Sequence, residues 1–160
     1  MAIIIEDGSI VSGANSYASV IDLNNYATET GVLISGDTAE LLAEAKRYVE
    51  TLRFIGRKST KDQTMQWPRY GAMIDGFHVE TNEIPQSLIS LQCEVALSID
   101  AGVNPLSVVG RATKKEKVGD IEVEYSDSAS QVDVNPAISA LSRKLTSGSV
   151  GGISLSLSRA

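Results

Sequence analysis

Cysteine, histidine and tryptophan occur only once each in this chain of 160 residues. The single cysteine, Cys93, excludes an intramolecular disulfide and fits a reducing compartment. The single histidine, His78, excludes a metal site that takes several imidazoles from one chain. The glycine-rich phosphate loop and the serine nucleophile elbow are also missing from the sequence. We therefore expect no catalytic residues, no cofactor and no metal.

Cys93 and His78 leave one catalytic alternative open. Cys93 falls close to the apolar stripe of a predicted helix, where an inert buried thiol is the common outcome. His78 follows Phe77 in a predicted loop, where a packing or surface role is more common than a ligand role. No sequence signature around either residue supports a Cys–His pair, so the enzyme interpretation is the weaker one.

Long apolar runs are also lacking, and acidic residues outnumber basic ones by 20 to 14. No run approaches the roughly 20 residues that a membrane span needs, so we expect no membrane partner. The N-terminus has no basic region before its apolar residues, which argues against a secretory signal. The net charge of −6 is opposite in sign to the surplus typical of nucleic-acid binders. DNA could still slide past such a surface without sticking to it.

Apolar residues recur at helical spacing in four segments, which predicts helices near residues 19–30, 37–55, 85–101 and 136–146. Aromatic residues make up only 5% of the chain, so the core between these helices should be mainly aliphatic. The predicted core consists of Leu41, Ala45, Tyr48, Leu52, Leu88, Leu91, Val95, Ile99, Ile138 and Leu141.

The predicted fold is mainly α: a helical bundle of about four helices with a projecting β-hairpin and extended N- and C-terminal arms. Residues 1–18 form the predicted N-terminal arm, because β-branched residues near the start are followed by turn-forming ones. Residues 19–147 form the predicted helical domain, and residues 148–160 an extended C-terminal tail. Apolar extended segments are templates for pairing with another chain.

The hairpin is predicted at about residues 111–125, with Gly119 and Asp120 as its two-residue turn. In that register Lys115 and Lys117 face glutamates on one side of the hairpin, and apolar residues share the other side. A two-stranded hairpin is barely stable alone, so we expect it to lie on a helix or on a neighbouring subunit. The predicted hairpin interface comprises Lys115, Lys117, Val118, Ile121, Glu122, Val123, Glu124 and Tyr125.

The C-terminal tail alternates Ile153, Leu155 and Leu157 with serines, which is strand periodicity. We predict that these three residues bind a neighbouring protein. The alternative is a tail without fixed structure, because the glycine and serine content around it is high.

The segment between the second and third predicted helices has no periodicity but carries most of the candidate chemistry. Its centre, Trp67, Pro68 and Arg69, is predicted to anchor a rigid loop. Basic and aromatic residues together can also form a stacking platform for single strands, but the acidic chain favours the anchor and a solvated charged face. The basic residues of this cluster are Arg53, Arg57, Lys58 and Lys61, with Tyr70 close by. A second basic group is interleaved with glutamates: Arg111, Lys114, Lys115 and Lys117, near Tyr125.

Four pieces of the chain together resemble a known family. They are residues 5–8 with 13–17 (Ile-Glu-Asp-Gly and Gly-Ala-Asn-Ser-Tyr), Trp67-Pro68-Arg69, Ile84-Pro85 before a helix containing Glu94, and residues 116–125 (Glu-Lys-Val-Gly-Asp-Ile-Glu-Val-Glu-Tyr). In this order, over about residues 3 to 146, they resemble the head–tail connectors, also called adaptors or head-completion proteins, of tailed bacteriophages. The same family has been labelled DnaT-like and single-stranded-DNA-binding, which is the alternative interpretation.

The resemblance implies a structural virion protein of the phage neck, made in the bacterial host cytoplasm. It implies a ring of identical subunits, expected to be a dodecamer, that docks on the portal protein and extends the DNA channel. The implied partners are the portal, further copies of the chain, the next neck (stopper) or tail protein, and DNA that passes without sequence-specific binding. The resemblance implies no catalysis and no cofactor.

Overall fold

A computed structural model describes residues 2–106, 115–118, 121–124 and 135–147. In these residues the chain forms four helices, α1 (Val20–Thr30), α2 (Thr38–Val49), α3 (Gln86–Asp100) and α4 (Pro136–Leu145). The central helix is α3, which packs against the other three. No helix of this described part is both long and apolar enough to cross a membrane.

Short antiparallel strand pairs complete the described fold. The first pair joins β1 and β2, the second joins β3 and β4, and the third joins β5 and β6. Their bounds are β1 Arg57–Lys58, β2 Arg69–Tyr70, β3 Met73–Ile74, β4 Phe77–His78, β5 Lys115–Val118 and β6 Ile121–Glu124. The first four strands lie between α2 and α3, and the last two lie between α3 and α4. The mainly α fold with a β-hairpin is therefore as predicted.

The register of the β5–β6 hairpin confirms the sequence prediction. Val118 pairs with Ile121, Lys117 with Glu122, and Lys115 with Glu124. A slip by one residue would have exchanged the two faces, so the alternation of charged and apolar residues predicted the pairing. The predicted turn residues 119–120 and the flanking residues 111–114 and 125 lie outside the described part of the chain.

Side-chain caps explain where α1, α2 and α4 begin. Ser19 accepts a hydrogen bond from the Asp22 N–H at 3.0 Å, and the Asp22 carboxylate accepts from the Ser19 N–H at 2.7 Å. Asp37 caps α2 and Asn135 caps α4 in the same manner, by accepting from backbone N–H groups of the first turn. Each cap satisfies donors that would otherwise have no partner. The predicted starts agree with these positions within one residue.

The core forms where the helices meet, and the structure confirms much of its predicted composition. Leu41, Ala45, Leu88, Leu91, Val95 and Ile138 are buried, whereas Tyr48, Leu52, Ile99 and Leu141 are partly buried and pack against the core. Six of the largest fully buried side chains were not among the predicted core residues, although Trp67 was predicted to anchor its loop. They are Tyr17, Leu23, Leu42, Met65, Trp67 and Leu145.

The predicted end of α2 near residue 55 is wrong, because the helix ends at Val49. The following segment uses its backbone groups for tertiary hydrogen bonds instead of helical ones. The Ile55 N–H donates to the Leu145 carbonyl at 3.0 Å, and Phe54 forms a β-bridge with Thr146. Leu52 and Ile55 keep the apolar spacing that predicted a longer helix, yet they reach the core from a turn and an extended segment.

The N-terminal segment packs onto its own chain near residue 18, whereas Ile4 and Ile5 remain exposed, so contact with a neighbour stays a prediction. Tyr17 and Ala18 are buried, and their backbone N–H groups donate to the side-chain oxygen of Gln92 on α3 at 2.8 and 3.1 Å. The Gln92 amide nitrogen donates to Ser16 Oγ and to the Leu42 carbonyl. A buried amide with every hydrogen bond satisfied thus ties this segment to α2 and α3, which sequence periodicity cannot show.

Candidate nucleic-acid interface

An open cleft of about 810 Å³ lies between the β1–β2 pair and two loops. One of these loops comes from the N-terminal segment, and the other precedes α3. The cleft has three basic side chains and no acidic one along its lining. The lining residues are Gly8, Ile10, Arg57, Lys58, Ser59, Thr60, Lys61, Tyr70, Thr81 and Asn82.

Arg57 and Tyr70 form a stacked pair at this cleft. They face each other across the β1–β2 ladder, which places the Arg57 guanidinium carbon 4.8 Å from the centroid of the Tyr70 ring. The Tyr70 side chain remains 52% exposed. A cation over an aromatic face is a favourable contact, and an exposed ring of this kind offers a flat surface to a planar ligand.

The positive charge of the cleft is not neutralised within the described chain. Residues 2–106 and 135–147 contain no carboxylate that forms a salt bridge with Arg57, Lys58 or Lys61. The Lys58 side chain is half-buried and the Arg57 and Lys61 side chains are exposed. Three cations that form no salt bridge in these ranges, on a lining without acidic residues, give a locally positive surface on a chain whose net charge is −6.

Arg69 does not face the cleft but holds the backbone next to the Arg57–Tyr70 pair. Its guanidinium donates to the carbonyl oxygens of Ile55 at 2.6 Å, Gly56 at 2.8 Å and Gln66 at 3.1 Å. Burial lowers the pKa of Arg69 from its ordinary value. The side chain is buried and committed to backbone oxygens, so it is not a phosphate ligand.

Trp67 is fully buried, with 0% of its surface exposed. Its ring meets the Phe54 ring edge to face, at a centroid distance of 5.9 Å and an angle of 78°. The peptide bond between Trp67 and Pro68 is cis. Trp67 therefore packs the loop onto the core, and Tyr70 is the aromatic residue of this loop that a ligand can reach.

A buried polar cluster joins the loop to α2 and to the N-terminal segment. The Tyr17 hydroxyl donates to the Glu50 carboxylate and accepts from the Trp67 N–H, which lies 3.1 Å away. The same carboxylate accepts from the Gln66 N–H. Burial and the neighbouring Glu50 charge raise the pKa of Tyr17 above its usual range. The hydroxyl thus stays protonated at neutral pH and holds Trp67, while the Glu50 carboxylate holds Gln66.

The opposite wall of the cleft depends on Glu6 and Gly8. The buried Glu6 carboxylate accepts hydrogen bonds from the N–H groups of Gly8, Ile10 and Val11 at 2.9–3.0 Å. Gly8 adopts φ +102°, and a Cβ there would lie 1.9 Å from the Asn82 carbonyl oxygen. Only glycine allows the N-terminal loop to approach the Asn82 loop this closely.

The structure separates Cys93 from His78. Cys93 is buried in α3, and burial raises the pKa of its thiol to about 12, whereas His78 is exposed on β4. No hydrogen bond links the two, so the Cys–His alternative has no geometric basis. Within the described residues, no three or more histidine, cysteine, aspartate or glutamate side chains are grouped closely enough to hold a metal ion.

The remaining predicted site residues lie largely outside the described chain. These are Arg111, Lys114, Tyr125, Ile153, Leu155 and Leu157. Lys115, Lys117, Val118, Ile121, Glu122, Val123 and Glu124 lie on β5 and β6 in the predicted register. From the predicted basic cluster between α2 and α3, the structure brings Arg57, Lys58 and Lys61 to one cleft, together with Tyr70. Sequence reasoning missed the loops of Gly8 and Asn82, for which the only signal was a turn at Asp7-Gly8.

Comparison with known families places the whole chain in one of them. Residues 1–160 match the model of a family described as "Putative DnaT-like ssDNA binding protein". The chain belongs to this DnaT-like family. No curated protein and no solved structure matches the chain. The family description agrees with the label that the sequence resemblance carried, and nothing in these comparisons bears on the head–tail connector role.

Proposed function

We propose that this DnaT-like chain binds single-stranded DNA through the cleft of Arg57, Lys58, Lys61 and Tyr70. The observation that carries the proposal is the exposed Tyr70 ring under the Arg57 guanidinium, in a cleft lined by no acidic residue. Base–aromatic stacking tolerates any sequence, and cations beside the ring neutralise the phosphates that connect the bases. The family description supports the same activity.

The cleft suits a single strand better than a duplex. A duplex hides the faces of its bases, so an aromatic side chain such as Tyr70 gains nothing from stacking unless a base is unpaired. The net charge of −6 limits the affinity, because the rest of the surface repels phosphates. We therefore expect binding that is confined to this cleft and sensitive to salt. The proposal assigns binding and no catalysis to the chain.

Fluorescence anisotropy with a labelled oligothymidylate tests this proposal. Affinity for the oligothymidylate should fall as the salt concentration rises. The double variant Arg57→Gln/Lys58→Gln should make the plot of the logarithm of the binding constant against the logarithm of the salt concentration less steep by roughly 1.4, which is about 0.7 for each lost phosphate contact. The matched control Lys46→Gln/Arg47→Gln removes the same charge from α2, outside the cleft, and should leave the slope unchanged.

Two results would count against the cleft. Absence of binding by the wild type at low salt would remove the proposed function altogether. An equal loss in the cleft and control variants would mean that overall charge, and not this site, governs the affinity.

A second candidate function is the ring-forming neck subunit of a tailed phage, which the sequence resemblance implies. One observation favours assembly: Ile21 and Leu33, near opposite ends of α1, are 70% and 91% exposed, and the neighbouring Val32 is also exposed. A neck subunit would bury such residues against its own copies or the portal protein, in the virion. Light scattering of the purified chain should then show a ring, and the double variant Ile21→Ser/Leu33→Ser should disrupt it. A chain that stays monomeric at all concentrations and does not dock on portal-containing heads would exclude this candidate.

A further inference from the structure

The β3–β4 hairpin has a tight turn and very short strands. Asp75 and Gly76, its two turn residues, both have positive φ, at 51° and 86°, which is the type I′ geometry typical of two-residue hairpins. Ile74 pairs with Phe77 and Met73 pairs with His78. The ladder ends with a hydrogen bond of 3.0 Å from the Val79 N–H to the Ala72 carbonyl.

This pairing leaves both edges of the hairpin open. Hydrogen-bonded and non-hydrogen-bonded pairs alternate along an antiparallel ladder, and the Ala72–Val79 pair is hydrogen-bonded. The Met73–His78 pair is therefore of the other kind, so the backbone groups of Met73 point away from β4 and those of His78 point away from β3. Across the described residues, no hydrogen bond engages these outward groups. Such an edge is a template for a further strand.

The hairpin also has an apolar face that is covered only in part. Ala72, Ile74, Phe77 and Val79 share one face because side chains alternate along a strand. Ala72 and Val79 are buried against the core and Ile74 is partly buried, but Phe77 at the tip is 77% exposed. An additional strand that covered Phe77 would complete this face.

A groove of about 300 Å³ runs along the β4 edge of the hairpin. The start of α3 and the side chain of Lys144 on α4 form its other side. Lys144 Nζ lies 3.6 Å from the Asp75 carboxylate, so the last turn of α4 lies beside the hairpin. The groove is lined by Ile74, Asp75, Phe77, His78, Val79, Glu83, Pro85, Gln86, Ser87 and Lys144.

The chain continues from this end of α4. The Ser147 N–H donates to the Arg53 carbonyl at 3.2 Å, and Ser147 is the last residue that the structure describes. Residues 148–152 form a glycine-rich linker that spans at most about 17 Å when fully extended. The alternating segment of residues 153–157 follows directly in the sequence.

We propose that residues 153–157 of the same chain add to β4 as a third strand. Their backbone pairs with the outward groups of His78, and the Ile153, Leu155 and Leu157 side chains continue the apolar face over Phe77. The intervening serines point to solvent. A short linker makes the binding intramolecular, with an effective concentration on the order of millimolar, which favours the chain's own tail over that of a second copy. The single charged tail residue, Arg159, suits a groove that contains Asp75 and Glu83.

Amide hydrogen exchange of the full-length protein, resolved by NMR, tests this inference. The variant Ile153→Ser/Leu155→Ser/Leu157→Ser should speed exchange of the His78 amide by about tenfold or more, equivalent to about 1.4 kcal/mol of lost protection. The matched control Ser154→Ala/Ser156→Ala/Ser158→Ala changes the other face of the tail and should leave His78 protected. Met73 lies on the opposite edge, so its amide should exchange rapidly in all three proteins.

The competing occupants give different results. An unprotected His78 amide in the wild type, or equal protection in both tail variants, would overturn the proposal. Protection that rises with protein concentration and accompanies dimer formation would identify the tail of a second copy as the occupant and would also overturn it. Protection at every concentration in a monomer, lost only in the apolar-to-serine variant, is the result expected. None of these outcomes depends on DNA binding by the cleft.

Discussion

The segment between α2 and α3 contains two pairs of one aromatic and one basic residue, and the two pairs have different roles. Trp67 and Arg69 are buried and hold the loop to the core, whereas Tyr70 and Arg57 are exposed and stack at the cleft. The first pair is the buried part of the loop and the second pair is the exposed part. The difference lies in their partners, because carbonyl oxygens surround the Arg69 guanidinium, whereas in the described part of the chain none is bonded to that of Arg57.

The comparison shows that a basic and aromatic cluster in sequence overstates the surface available to DNA. An arginine that donates to backbone oxygens cannot also bind a phosphate with the same N–H groups. A tryptophan with no exposed surface cannot stack on a base. The buried part instead fixes the geometry of the exposed part, so damage to the first should unfold the loop and damage to the second should weaken binding alone.

The largest effect is expected from Trp67→Ala. Removing this buried ring leaves a cavity beside Phe54 and should lower the free energy of unfolding by about 3–5 kcal/mol. Urea denaturation followed by circular dichroism measures the change. Trp67→Phe keeps part of the volume and should cost less. A Trp67→Ala protein as stable as the wild type would show that the two parts of the loop do not differ in the way described.

A smaller effect is expected from Tyr17→Phe, which removes one hydroxyl from the buried cluster. The Glu50 carboxylate loses a donor and the Trp67 N–H loses its acceptor, so the free energy of unfolding should fall by about 1–3 kcal/mol. Ser142, whose hydroxyl donates to the Ser139 carbonyl within α4, offers a control: Ser142→Ala should change stability much less.

Tyr17→Phe should also change how the free energy of unfolding depends on pH. The folded-state pKa of Tyr17 is raised, while the unfolded value is about 10. The folded state therefore retains a proton that the unfolded state releases, and this stabilisation is complete below pH 10 and is lost as pH rises above it. Tyr17→Phe should flatten that alkaline decline in part, since Tyr26 and Cys93 also have raised pKa values. An unchanged slope between the two proteins would contradict the burial of a protonated hydroxyl.

The smallest effect on stability is expected from Tyr70→Ala. An exposed ring contributes little to the core, so the free energy of unfolding should change by about 0.5 kcal/mol or less. Affinity for the oligothymidylate should nevertheless fall by about 1–3 kcal/mol, the usual value of one base–aromatic stack. Tyr70→Phe retains the ring and should bind as the wild type does. Loss of stability without loss of affinity would reverse the assignment of the two parts.

Sequence patterns predicted the features of this fold that depend on local periodicity. Three helices begin and end within one residue of their predicted bounds, and the β5–β6 register follows from charge pairs such as Lys117–Glu122. These features were accessible because caps and strand alternation are local signals. The family label of the alternative interpretation also agrees with the family model.

Features that depend on distant partners could not be predicted in the same way. The segment that follows α2 is held at Ile55 by Leu145 and Arg69, and the N-terminal segment is held by Gln92. The cleft likewise needs Gly8 and Asn82, which are far apart in sequence and touch only after folding. Side-chain hydrogen bonds to backbone groups leave no periodic pattern in a sequence. The exposed Arg57 and Tyr70 therefore could not be distinguished by sequence pattern from the buried Trp67 and Arg69.

The bonds from Tyr17 and Ala18 to Gln92 have a consequence for biosynthesis. They join residues that are 75 and 74 positions apart, so Tyr17 and Ala18 lack their partner during synthesis until α3 has been made. At about 5–20 residues per second, that delay is on the order of 4–15 s. During this interval the isoleucine-rich segment of residues 3–5 is open to chaperones, and residues 16–18 cannot pack against α2 and α3.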